Sequence, residues 1–190
     1  MDTIQNRVGQ VKAESDKLGR FLESLSGQDW EQPSACEEWT VADVVAHLIG
    51  GAEMFTEHIS RGLRGDKEPP DGFPDAGEAD PKVLGNLNAM RTVFRRAGLG
   101  DRLLPTFKAT GNQMNQLFAG IRPGDWDQLC YHPAAEFPVR TFLSLRMFEL
   151  ALHGWDITSR LQPEPTSLPS TFPSIITIIG ATIISSPTPA

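Results

Sequence analysis

Apolar residues recur at helical spacing through most of the chain. Ile4, Val8, Val11, Leu18, Phe21, Leu22 and Leu25 stand mostly three, four or seven apart with charged residues between them, which predicts a first helix stopping near Gly27. Asp29 to Trp39 carries two tryptophans, a proline and a cysteine and reads as an ordered loop. Thr40 then offers an N-cap and Asp43, three residues on, the acidic partner of a variant capping box. The helix it opens has Val41, Val44, Val45, Leu48, Ala52, Phe55 and Ile59 as its buried stripe, with His47 on the flank of that stripe. From Arg61 to Pro81 glycines and prolines crowd in, and the segment predicts a long loop crossing one end of a bundle. Helical spacing returns over 82–97 through Val83, Leu87, Met90 and Phe94. It continues over 101–121 through Leu104, Phe107, Met114, Leu117, Phe118 and Ile121, with Pro105 in the first turn. Arg122-Pro-Gly-Asp closes that helix, and Trp126 to Phe137 reads as irregular. The last helix follows Pro138 and runs to about Leu161. It is apolar over more than half its circumference and is expected to be the most buried.

These elements predict an all-α fold, with one domain over 1–161 and no alternating strand pattern before the tail. Residues 162–190 turn to Pro, Ser and Thr and then to the β-branched run Ile175 to Ile184, an irregular tail with no domain of its own. That tail either covers a groove or docks on a second subunit, so a homodimer is one expectation.

Composition narrows the function classes. A net charge of −7 on 190 residues argues against a nucleic-acid partner, which needs a basic field. The longest apolar run is too short to span a bilayer and the first residues are polar, so no membrane association and a cytoplasmic location are expected. Cys36 and Cys130 sit in no CxxC pair and read as reduced thiols.

The informative polar residues lie on the last helix. Glu149 and His153 are four apart and stack on one face, about 5–6 Å between β-carbons. With an imidazole from a neighbouring helix they would suit a divalent cation such as zinc, leaving a coordination position open for chemistry. The ExxxH spacing alone is common on helices, where the two side chains face water or bond each other. A lone histidine such as His47 is equally ordinary as a structural residue. His58, about 16 Å further along its helix, cannot share the ion. His132 reads first as a surface residue, and Trp30, Trp39, Trp126 and Trp155 as core or loop anchors. Asp156 could orient a ligand histidine or pair with Arg160.

Two blocks supply more than spacing. WEQPSACEEWTVADVVAHL (Trp30 to Leu48) and RTFLSLRMFELALHGWDI (Arg140 to Ile157) resemble the DinB-like superfamily. They are most similar to the N-terminal domain of mycothiol-dependent maleylpyruvate isomerases, over most of residues 1–161. The resemblance implies a four-helix bundle with a long crossover, and a metal held by one histidine ending a W-T-V-x-D-x-x-x-H stretch plus an ExxxH pair. Those positions are His47, Glu149 and His153 in this chain. It also implies a low-molecular-weight thiol, mycothiol or another, acting as nucleophile on a small electrophilic substrate, in isomerase or S-transferase chemistry. Zinc leads among the metals, with Ni, Fe and Mn compatible with the same donors. Arg146, one turn before Glu149, is the candidate catalytic clamp for a carboxylate, with an ion pair to Glu149 as the plain reading and Arg140 as a weaker candidate. Full maleylpyruvate isomerases carry a second domain after the bundle, whereas about thirty residues follow Leu161 here, so the reaction type stays open. A non-catalytic metal-binding bundle and a metal-dependent hydrolase are the alternatives from the same ligands.

Overall fold

Thr40 caps the helix at the centre of the molecule. Its hydroxyl accepts from the Asp43 backbone N–H, and the Asp43 carboxylate accepts from the Thr40 N–H at 3.0 Å, which completes the predicted capping box. That helix is α2, Val41–Gly62, and the computed structural model describes residues 3–36 and 38–162 around it. In chain order the other helices are α1 (Ile4–Glu23), α3 (Pro81–Leu99), α4 (Leu103–Gly120) and α5 (Val139–Leu161).

Four of these close a ring. Both α1 and α2 pack against α4 and α5, so α1 lies diagonally opposite α2 and α4 opposite α5. The core runs down the centre, with Val11, Leu18 and Leu22 from α1 meeting Phe107, Met114 and Phe118 from α4, and Phe142, Leu143, Leu150 and Ile157 from α5. All seven residues of the predicted α2 stripe are buried. The chain is thus the four-helix bundle the sequence predicts, with the 63–80 crossover and α3 outside the ring.

Three details differ from the sequence reading. Along α5 the buried positions are fewer than along α2, so α2 is the most enclosed helix; Arg140 and Arg160 turn part of α5 outward. The 126–137 segment holds a short antiparallel pair, β1 (Leu129–Cys130) with β2 (Phe137–Pro138), which fastens the chain to the end of α2. Gly62, the last residue of α2, makes that contact possible, because a β-carbon there would lie 2.3 Å from the Cys130 sulfur.

The third difference is α3. Of its four apolar markers Val83, Met90 and Phe94 are exposed, Phe94 at 70 %, and only Leu87 is half-buried. Of the whole helix only Thr92 is buried. The face turned to α2 is instead polar: Asn88 reaches His47, Arg95 pairs with Glu53, and Arg96 bridges Glu31 and the capping carboxylate of Asp43. No helix among the described residues is long and apolar enough to cross a membrane. The tail beyond Gln162, and with it the groove-or-subunit question, lies outside the described residues.

Candidate metal centre and its cavity

The i,i+4 pair on α5 and the flank of α2 meet near the Thr40 end of the ring. His47 Nε2 lies 2.8 Å from Glu149 Oε2, and His153 Nε2 lies 3.5 Å from the same oxygen. The two imidazoles stand edge to face with centroids 4.7 Å apart. One donor atom from each of the three residues falls within 4.8 Å of the others. Two imidazole nitrogens and one carboxylate oxygen are a donor set that divalent zinc accepts at about 2.0–2.2 Å. The residues therefore fit a divalent cation.

Neighbouring groups settle which atoms face that point. His153 Nδ1 lies 2.8 Å from Asp156 Oδ2, and Asp156 is itself buried, so the proton sits on Nδ1 and the Nε2 lone pair is left for the site. This is the orienting contact weighed for Asp156 from sequence. On the other side the Asn88 amide lies 3.3 Å from His47 Nδ1, a contact no sequence signal announced. Burial alone would raise the Glu149 carboxyl. The hydrogen bond from His47 and the electrostatic pull of the two imidazoles and of Arg146 outweigh it and hold the group below the usual carboxylate range.

Trp39 roofs the pair of histidines, its ring 5.2 Å from His47 and 6.4 Å from His153. The loop that carries it is tied to α5 by the Ala35 N–H, which donates to the Asp156 carbonyl at 2.8 Å. Glu38, just before Trp39, takes a left-handed φ of 67°, a strained conformation for a side-chain-bearing residue.

Arg146 is placed inside the bundle, 2 % exposed, with Nη1 donating to the Leu48 carbonyl at 3.0 Å and Nη2 without a partner among the described residues. Burial lowers it to about 10, against the pull of the Glu149 charge. It ties α5 to α2 one residue beyond His47 and is absent from the cavity wall. Arg140 pairs with Asp127 at the surface, away from the histidines.

A cavity of about 570 Å³ opens beside His47 and Glu149, walled by α2, α3, the 63–80 crossover and the β1–β2 connection. His132 lines it, packed by Phe55, Phe137 and Phe142, so it is not the surface residue the sequence suggested. The Ala134 N–H donates to its Nδ1 at 3.1 Å, which leaves the ring proton on Nε2. Burial lowers His132 to about 4 and keeps it neutral. His58 lies further along the same cavity. A separate cleft near Trp30, Asp43 and Arg96 contains none of the three donor residues.

Comparisons with known proteins bear on the family and the fold. A family model described as the mycothiol maleylpyruvate isomerase N-terminal domain matches residues 11–158. Two uncharacterized proteins of Mycobacterium tuberculosis, one from strain CDC 1551 / Oshkosh and one from strain H37Rv, are each 24% identical over 144 residues. The match covers 76% of this chain and 61% of each relative, so the chain spans about three fifths of their length. Among solved structures, the mycothiol-dependent maleylpyruvate isomerase superposes with a TM-score of 0.64 at 15% identity, over 95% of this chain and 68% of that one. A mutant of such an isomerase gives 0.68 at 14% identity, over 97% and 70%. The colibactin self-resistance protein ClbS, solved with double-stranded DNA, gives 0.64 at 15% identity, over 86% and 98%. At these identities the structures speak for the fold alone.

Proposed function

Since the chain belongs to the mycothiol maleylpyruvate isomerase N-terminal domain family, we propose that it is a divalent-metal-dependent enzyme using a small thiol of the mycothiol type on an electrophile held in the cavity. The observation that carries this reading is the convergence of His47, Glu149 and His153, with His47 and Glu149 on the wall of a cavity large enough for a small molecule. A cation buried as a structural staple would not need that opening.

A divalent cation, zinc foremost, would be held here by His47, Glu149 and His153 and would supply a coordinated thiol as thiolate at neutral pH. The rest falls to the chain. Asp156 fixes the tautomer of His153, and Asn88 steadies the His47 ring. Arg146 acts as a positioning residue by pinning the backbone beside His47. Trp39 keeps bulk water off the histidine pair. An electrophile seated between His132 and the 63–80 crossover is presented to the sulfur, with the His132 Nε2–H available as a neutral hydrogen-bond donor. Addition across a cis double bond, rotation and re-elimination would give the trans isomer; displacement of a leaving group would give S-transferase chemistry. The site suits a cytoplasmic enzyme, where small thiols are reduced.

DNA is the partner of ClbS by its description. For this chain we hold to small molecules, because its net charge of −7 opposes a phosphate backbone.

Cobalt in place of the native metal tests the proposal. Mycothiol, bacillithiol, glutathione and cysteine are added in turn to the cobalt-loaded chain. Sulfur ligation by at least one of them should give a thiolate-to-cobalt charge-transfer band, and His153→Ala should abolish it. No spectral change with any thiol at millimolar concentration overturns the thiol-dependent reading.

A further inference from the structure

The cavity beside His47 runs on past the candidate metal centre. Its α2 wall continues from His47 to His58, eleven residues or roughly 16 Å of helix. At that far end Phe73, from the 63–80 crossover, packs against two polar groups. The Arg91 guanidinium carbon lies 4.1 Å from the Phe73 ring centroid, and the His58 ring lies 6.4 Å away on edge. The Tyr131 hydroxyl donates to the Pro74 carbonyl at 2.7 Å and fixes the turn that carries Phe73. Tyr131 also packs against His58, with centroids 5.0 Å apart.

Both polar groups lack what such groups normally have. His58 is 2 % exposed, and its Nδ1 has no hydrogen-bond partner among the described residues. Arg91 is half-buried and makes no ion pair or hydrogen bond among the described residues. The other arginine on this wall is already engaged. Arg95 pairs with Glu53 at 3.1 Å and fills the space over Gly50, where a β-carbon would lie 2.4 Å from its Nη1. Stacking on Phe73 occupies the flat face of Arg91 and leaves its edge, the two-pronged donor, for something else.

We propose that this end of the cavity is a subsite for a carboxylate carried by the small-molecule ligand, received by the fork of Arg91 with His58 as the second donor. The proposal rests on the reading of the cavity as the reaction chamber and adds what the ligand must carry at its far end. A planar, singly charged carboxylate matches one guanidinium edge in shape and charge. A phosphate dianion would not be balanced, because Arg91 is the single unpaired cation on a wall that also holds Glu53, Glu57 and Glu149. His58 is lowered to about 4, first by burial, so it stays neutral and can offer an N–H without adding charge.

The test uses the full chain without metal, so that it does not depend on the thiol chemistry. 3-Phenylpropionate and its neutral amide are titrated at pH 7 while NMR follows the Arg Nε–H and imidazole signals. The acid should bind at least tenfold more tightly than the amide, shifting the Arg91 and His58 signals. Arg91→Gln should remove the preference, Arg91→Lys should keep part of it, and Arg95→Gln should leave it unchanged. Equal binding of acid and amide overturns the subsite, as does a preference that survives Arg91→Gln or no binding of either probe at tens of millimolar. Failure of the cobalt experiment with an intact acid preference would remove the thiol reading and leave the subsite standing.

Discussion

His153 is held at both ring nitrogens, and the two contacts do different work. Nε2 faces Glu149 and the convergence point, while Nδ1 is spent on the buried Asp156. Asp156→Asn keeps the shape but removes the charge that fixes the tautomer, so metal affinity should fall by about 10–100-fold with little loss of helicity. Competition with a chromophoric chelator measures the first and circular dichroism the second. His58 and His132 bear on stability in a different way. Each is lowered to about 4, chiefly by burial, against about 6.5 in an unfolded chain. Between those values the unfolded chain binds protons that the folded one refuses. Stability is therefore fully present above about pH 6.5 and falls as the pH drops toward 4. From pH 7 to pH 5 the loss should be about 2 kcal/mol per histidine, read from urea melts, and His58→Phe should remove roughly half of the slope. The three candidate ligands were legible in the sequence because they fall in motifs with fixed helical spacing. Asn88, Phe73 and Arg91 were not, because nothing local to 73–91 says that this stretch faces His47.

At the scale of elements, α2 was readable almost residue by residue, since its capping box and its apolar stripe are both local signals. Thr40→Ala should cost about 1 kcal/mol in a denaturant melt, and more if Arg96 loses its grip on Asp43 as the cap frays. The β1–β2 pair went unread because strands of two residues are too short to show alternation. Its contact with α2 can be tested through Gly62. Gly62→Ala forces a methyl into the Cys130 sulfur and should cost about 1–3 kcal/mol. Adding Cys130→Ala should recover part of that loss, and a double-mutant cycle by thermal melts would report coupling of the two sites. α3 misled the periodicity argument for a definite reason. Its apolar residues do share one face, but spacing reports which residues lie together and not which way the face points; here the partner of the helix is a cavity wall. Phe94→Glu should accordingly leave the stability of the monomer within about 0.5 kcal/mol of wild type.

Across the whole molecule, folding and recognition are assigned to different pieces. The ring of α1, α2, α4 and α5 holds the core, and α2 and α5 supply His47, Glu149 and His153. α3 and the 63–80 crossover contribute Phe73, Asn88 and Arg91 to the cavity, and α3 sends only Thr92 into the buried interior. Apart from Asn88, which contacts His47, exchanging residues on that outer wall therefore touches neither the packing that keeps the chain folded nor the donors that would keep an ion. A lineage carrying this bundle can drift through many preferences at the wall while the reactive centre stays intact, and a laboratory library confined to residues 70–91 should yield folded variants at high frequency with altered appetites. An inside-out helix is in this sense an inheritance: it makes the molecule easy to retarget.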